Sequence, residues 1–406
     1  MVRAVNALNI CRLIGRAVLK YCPLTPSPIV AEDEIRPRFV ATDAALEKAC
    51  AHFRRAGAIG VDTEFVRVRT YFPMLGLIQV ADKRNTWLID PLAVSDMTPF
   101  ARVLSDRAVL KVMHSCSEDL EVLSYLTGEP LGPVFDTQIA AAFLGFGFQA
   151  GYQQLSKTLF GTQMCKSETR SDWLARPLSE NQIRYAAMDV VCLLPMHRAL
   201  TRELRKLGRL EWALEEIERM NREVTRDVEP EDYYLRFGGL WQCDRRELGA
   251  LRDLFAWRER QAMRRDLPRT FIMQDKTLRA IAKAMPMTMR DISKMEEVKP
   301  SFARRYGRTL TRIVREIMKT PEESLPVRPV RPPNPRKVGR LVEKLRPVVA
   351  ETAEALKLPP ELLARKKSVT ELAENVIMNL TNPLPDELRG WRKAVIGDKL
   401  LAALEK

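Results

Sequence analysis

The alternation of apolar and polar positions is sharpest near residue 60. Ile59-Gly60-Val61-Asp62-Thr63-Glu64-Phe65 is a short apolar run with two acids at alternate positions, a pattern that predicts a buried strand. Thr42–Ala56, just before it, has helical spacing. Leu75–Ala81 and Thr86–Ile89 follow as β-rich segments separated by the turn Asp82-Lys83-Arg84-Asn85, so three successive strands predict an antiparallel meander. A helix at about 97–105 leads to a fourth strand, Val109–Met113. The pattern is then mostly helical through residue 226, with Val134–Phe135 as a short last strand. This order predicts an α/β core, a mixed sheet flanked by helices.

Beyond that core the pattern is helical throughout. Residues 227–244, with Pro230, Gly238 and Gly239, read as a linker to a helical block at 245–320. A joint from Pro321 to Pro335, stiffened by Pro326, Pro329, Pro332 and Pro333, leads to a second helical block at 336–406. The expected organisation is three folded domains, 37–226, 245–320 and 336–406, preceded by an extension at 1–36; a length of 406 residues fits that number.

Charge sharpens the picture because it is unevenly placed. Of the formal net charge of +14, residues 37–200 contribute nothing, with 17 basic and 17 acidic residues, whereas 245–320 carry 20 basic against 9 acidic. A surplus of this kind suits a polyanion, and nucleic acid is the expected partner. The seven scattered cysteines form no CxxC pair and the chain has three histidines, which argues against zinc ligation and a disulfide framework and for a reducing compartment, the cytoplasm. No apolar run approaches the ~20 residues of a membrane span. Residues 1–31 hold Arg3, Arg12, Arg16 and Lys20 and no acid; the composition suits an organelle transit peptide, and a disordered tail explains it equally well.

Three acidic stretches then call for a reason. Asp62 and Glu64 share one face of their strand, and two adjacent carboxylates at a buried strand end are costly unless a cation lies between them. Val109–Met113 runs into His114-Ser115-Cys116-Ser117-Glu118-Asp119-Leu120-Glu121, where only one acid of the new helix can face the sheet end; spacing does not choose between Asp119 and Glu121. Tyr185 and Asp189, four apart on an otherwise apolar helix, share a face, and the aspartate must be paired or bound to a cation. A buried Tyr–Asp hydrogen bond alone also satisfies it.

Taken in order, these stretches resemble the three motifs of the DEDD exonucleases, in the subclass with tyrosine, which have a ribonuclease H-like fold. Val61 to Phe65, Lys111 to Leu120, and Lys166-Ser167-Glu168-Thr169-Arg170-Ser171-Asp172-Trp173 leading to Tyr185-Ala186-Ala187-Met188-Asp189 are similar to the ribonuclease D family over about residues 38–226. Leu251 to Glu259, Leu278–Ala284 and Tyr306-Gly307 resemble an HRDC domain, a helical nucleic-acid module. Leu358 to Ala364 and Gly390-Trp391-Arg392 resemble its second, more divergent copy. The presence of two copies favours the bacterial type.

The resemblance implies that Asp62, Glu64, Asp119 and Asp189 hold two divalent ions, Mg²⁺ or Mn²⁺, as hard oxygen ligands suit. It implies that Tyr185 orients an attacking water and that 5′-mononucleotides leave from a 3′ end. Phe65, Gln79 and His114 are expected near the terminal nucleotide, and Lys166, Arg170 and Trp173 near phosphate or a base. The implied partner of this monomer is RNA, transfer-RNA precursors and structured RNAs with 3′ tails among it. A DNA exonuclease of the same superfamily uses the same acids; a non-catalytic RNA-binding scaffold is disfavoured by the retention of all four carboxylates and the tyrosine.

Overall fold

The computed structural model describes residues 35–161, 168, 171–224, 226 and 228–405. They fall into two units, one formed by the chain up to Val66 with Leu75–Arg226 and Asn334–Lys406, the other by Arg67–Met74 and Asp227–Pro333.

The first unit is built on a six-stranded sheet. Its strands are β1 (Arg38–Val40), β2 (Ala58–Val66), β3 (Met74–Ala81), β4 (Thr86–Ile89), β5 (Leu110–Met113) and β6 (Val134–Asp136), in the order β1-β4-β3-β2-β5-β6. β3 and β4 pair antiparallel, whereas β1 with β4, β2 with β5 and β5 with β6 pair parallel, which makes the sheet mixed. β1 was not expected, because three residues are too few to show alternation. Around the sheet lie α1 (Asp43–Ala56), α2 (Thr98–Ser105), α3 (Ser117–Thr127), α4 (Thr137–Ala142), α5 (Tyr152–Phe160), α6 (Glu180–Val191), α7 (Leu193–Lys206) and α8 (Leu210–Val224). Local chemistry sets their limits. In α1 the Thr42 side chain caps the Ala45 amide, Arg54 and Arg55 face the negative end of the dipole, and Gly57 turns the chain out at φ 68°. That helix buries Leu46, Ala49, Cys50 and Phe53, with the Phe53 ring edge-on to Trp87 at 5.0 Å.

The end of the chain joins this unit through α14 (Pro335–Leu356), α15 (Pro360–Leu363), α16 (Lys366–Ile377) and α17 (Asp398–Glu405). Leu358, Leu362, Leu363 and Trp391 belong to the same buried core as the sheet. Trp391 stacks on Trp212 at 5.4 Å and meets Phe143 at 5.0 Å. Beside it Arg392 donates to Glu216 at 2.6 Å, both side chains being buried. Burial alone raises the Glu216 carboxyl, but the hydrogen bond and charge of Arg392, with Arg219, outweigh it and hold the group at about 2.

The second unit packs α9 (Arg245–Arg265), α10 (Arg269–Ile272), α11 (Asp275–Ala284), α12 (Met289–Ser293) and α13 (Pro300–Lys319) around Leu248, Leu254, Phe255, Leu278, Ile281, Leu310 and Val314. A capping box between Asp244 and Glu247 starts α9. The segment Arg67–Met74 is part of this unit: the Tyr71 and Phe72 amides donate to Asp266 at 2.9 and 3.0 Å, and Arg269 bridges the Tyr71 hydroxyl (3.0 Å) and Glu259 (2.7 Å). Among the described residues no helix is long and apolar enough to cross a membrane.

Replacing Arg392 with Met is expected to lower unfolding free energy by about 2–3 kcal/mol, below the ~3–5 kcal/mol of a fully orphaned buried charge because Arg219 remains. Chemical denaturation measures this, with Arg222→Ala, at an exposed pair with Glu218, costing under about 0.5 kcal/mol. The folded carboxyl of Glu216 titrates at about 2 against an ordinary 4.5, so its contribution is present above about pH 4.5 and is lost as the pH falls towards 2.

Candidate active site

β2 sends Ile59 and Val61 into the core, so Asp62 and Glu64 lie on the opposite face, in line with Gly60. That glycine lets a helix come close: a Cβ there would lie 3.1 Å from the Leu193 Cβ and 3.2 Å from the Val190 carbonyl oxygen. Val190 neighbours Asp189 at the end of α6, so the bare strand surface at Gly60 brings that turn down onto the acids. α6 itself is fixed at its start by a capping box, with Ser179 accepting from the Gln182 amide and Gln182 from the Ser179 amide. Its last turn is held by Tyr152, whose hydroxyl donates to the Met188 carbonyl at 3.0 Å and accepts from the Cys192 amide at 3.1 Å.

One carboxylate oxygen from each of Asp62, Glu64 and Asp189 lies within 4.8 Å of the others. Asp119, buried in the first turn of α3, accepts a hydrogen bond from the Thr63 hydroxyl. Of the two acids that spacing left open, Asp119 is the one whose charge bears on both Asp62 and Glu64. Burial is the main cause of a raised proton affinity in all four, and repulsion from neighbouring acids adds to it at Asp62, Glu64 and Asp119. Asp62 is pushed well up by burial and then by Asp119, Asp189 and Glu64. Burial lifts Glu64 to about 8, with Asp189 and Asp119 adding, and lifts Asp189 to about 7 against the lowering hydrogen bond from Tyr185. Asp119 rises to about 6, again through burial. A buried group of oxygen ligands with this much unbalanced repulsion fits a divalent cation, which removes the strain that protons otherwise relieve.

Tyr185 hydrogen-bonds Asp189 one turn further along α6, and burial, then the charges of Asp189 and Glu64, push its phenol far up, so it stays protonated. Phe65 is half-buried at the end of β2. The His114 Nδ1 pairs with the Thr137 hydroxyl at 2.8 Å and the buried ring also meets the Ala150 backbone; burial is the larger effect and lowers its proton affinity. Gln79 is fully buried on β3, opposite Leu88, with its amide oxygen and nitrogen unpartnered. Trp173 differs from the expectation of a residue that meets substrate. It is 3% exposed, packed with Leu77, Leu88, Leu178 and Ala186, with its ring 6.0 Å from Tyr185. A ring so enclosed supports Tyr185 from within. Lys166 and Arg170 lie outside the described residues. Sequence reasoning missed Thr63, Tyr152 and Gly60; only the last left a signal, a glycine inside a strand pattern marking close backbone approach.

The fold and acidic cluster define a 3′–5′ exonuclease. Residues 37–205 match the 3′–5′ exonuclease family and residues 247–314 the HRDC domain. The chain belongs to the ribonuclease D family. It is 40% identical over 368 residues to ribonuclease D of Pseudomonas paraeruginosa, covering 91% of this chain and 97% of that one, and 36% identical over 373 residues to ribonuclease D of Escherichia coli. The crystal structure of Escherichia coli RNase D, described as an exoribonuclease involved in structured RNA processing, superposes with a TM-score of 0.83 at 35% identity, covering 91% of this chain and 99% of that one. The catalytic core of RRP6 from Trypanosoma brucei shares the fold, at a TM-score of 0.53 and 21% identity over 76% of this chain.

Because Glu64 titrates at about 8 rather than 4.5, the metal-free protein is expected to lose stability as pH rises from about 4.5 to about 8. Asp62→Asn removes part of the repulsion and should stabilise the metal-free protein at neutral pH by about 1–2 kcal/mol. Thermal melting with and without Mn²⁺ checks both: the wild type rises on adding the ion and D62N does not.

Proposed function

We propose that this chain, a 3′–5′ exoribonuclease of the ribonuclease D family, hydrolyses the terminal phosphodiester of an RNA and releases a 5′-nucleoside monophosphate. The observation that carries the reading is the convergence of Asp62, Glu64 and Asp189 within 4.8 Å, with Tyr185 bonded to the last of them. Asp62, Glu64, Asp119 and Asp189 would hold two divalent ions, Mg²⁺ or Mn²⁺. When bound, such a pair supplies a nucleophilic water at neutral pH and charge stabilisation for the leaving 3′-oxygen.

The chain's own groups do the rest. Tyr185, its proton retained, orients the attacking water through the hydroxyl and does not act as a base. The half-buried Phe65, together with His114, takes the terminal nucleotide, Phe65 by stacking. In the second unit Arg304, Arg308 and Arg312 are exposed and four residues apart along α13, so they form one basic stripe for a phosphate backbone. The proposed substrates are transfer-RNA precursors and other structured RNAs with 3′ tails, handled by a monomer in the cytoplasm; the likeness to the Escherichia coli enzyme of structured RNA processing supports this choice.

On a short oligoribonucleotide Tyr185→Phe should lower kcat about 10–100-fold with little change in KM, and Asp62→Asn should abolish turnover. A matched deoxyribonucleotide degraded faster than RNA would move the reading to a DNA exonuclease. Replacing Arg304, Arg308 and Arg312 with Gln should reduce the salt slope of structured-RNA binding by about 2–3, while kcat on the short oligonucleotide stays within about twofold. Equal loss on both substrates would contradict the role of the stripe.

A further inference from the structure

The loop Ser171–Leu178 leads into α6, and Arg176 anchors it to the sheet. Its guanidinium grips Asp90, at the end of β4, through two parallel hydrogen bonds, Nε to Oδ2 at 2.6 Å and Nη2 to Oδ1 at 2.7 Å. Nη2 also donates to the Gly76 carbonyl on β3 at 2.7 Å, and Nη1 to the carbonyls of Trp173 at 3.0 Å and Ala175 at 2.8 Å. One planar fork thus joins two strands to the loop's own backbone, the geometry at which arginine exceeds lysine.

The sheet is shaped to receive this loop. A Cβ on Gly76 would lie 2.7 Å from the Trp173 carbonyl oxygen, so any larger residue would lift the loop off β3. On the far side, the Gln182 side chain donates to the Asp172 carbonyl at 3.2 Å, tying the loop to the first turn of α6. Asp90 is itself fixed, 3% exposed, with its amide on the Val40 carbonyl at 2.9 Å and its Oδ1 accepting from the Leu92 amide at 3.0 Å. What the clamp holds in place is Trp173, whose ring packs against Tyr185.

We infer that Arg176 is a positioning residue for hydrolysis: clamped on Asp90 and the Gly76 carbonyl, it seats Trp173 against Tyr185 and thereby fixes the hydroxyl that orients the water. The inference rests on the role proposed for Tyr185. Arg176 touches neither Asp62, Glu64 nor Asp189, so it acts on the rate through aromatic packing and not through the cation site. A residue of merely structural value would change the folded fraction and leave the folded enzyme's kcat alone.

The test uses the full chain as wild type, Arg176→Met, Arg176→Lys, Tyr185→Phe and the double variant R176M/Y185F. Each is assayed on a short oligoribonucleotide well below its melting temperature, and melting is followed with and without Mn²⁺. R176M is expected to lose about tenfold in kcat with KM within about twofold, as a misplaced orienting group does, and to keep its stabilisation by Mn²⁺. R176K should not recover the rate, since an ammonium cannot form the fork. The double variant should be no slower than Y185F, because the clamp has no hydroxyl left to place. Losses that multiply in the double variant, or full kcat in folded R176M, would overturn the inference. Should R176M not fold, R176K read the same way decides. An unslowed Y185F would instead overturn the role of Tyr185 and this inference with it, so the two failures are told apart.

Discussion

The repulsion among Asp62, Glu64, Asp119 and Asp189 is the constraint around which the first unit is arranged. Asp62, Glu64 and Asp189 held within 4.8 Å of one another, in a site whose burial lifts Glu64 to about 8 and Asp189 to about 7, work against folding, not for it. Ordinary packing would have separated them. The surrounding elements hold them together instead: the bare surface at Gly60, the tyrosine bridge from Tyr152 to the end of α6, and the capping box at its start. A divalent cation bound there would convert that cost into binding energy, the usual relation between strained sites and function.

The same logic extends outward from the acids. Tyr185 has a carboxylate on one side and a buried tryptophan on the other, and the tryptophan in turn depends on a loop clamped to the sheet. The role proposed for the Tyr185 hydroxyl demands that its neighbours cannot move, and the apolar enclosure of Trp173 meets that demand better than an exposed ring that meets substrate. Farther away, the Glu216–Arg392 pair and the stack of Trp212 on Trp391 build the last helices into the core beneath the sheet.

Much of this was legible in the sequence because it is local. Alternation around Asp62 and Glu64 fixed their shared face, and the four-residue spacing of Tyr185 and Asp189 placed them on one side of a helix. β1 was not legible, since three residues carry no period and its pairing with β4 is non-local. The choice between Asp119 and Glu121 depended on how α3 meets the sheet, which spacing does not encode. Trp173 was misread for a related reason: a tryptophan in a polar stretch looks exposed, and only the fold shows Leu77, Leu88 and Leu178 around it. The Arg176–Asp90 clamp joins positions 86 residues apart and left no local trace.

These carboxylates are proposed to form a cation site for removing nucleotides from a 3′ end. Mass analysis of the products from a transfer-RNA precursor with a 3′ tail, run with Mg²⁺, with Mn²⁺ and with chelator, tests it most directly. The expected products are 5′-nucleoside monophosphates and a ladder shortened from the 3′ end, formed only when a divalent ion is present. Cleavage that persists in chelator, or internal fragments in place of mononucleotides, would contradict it.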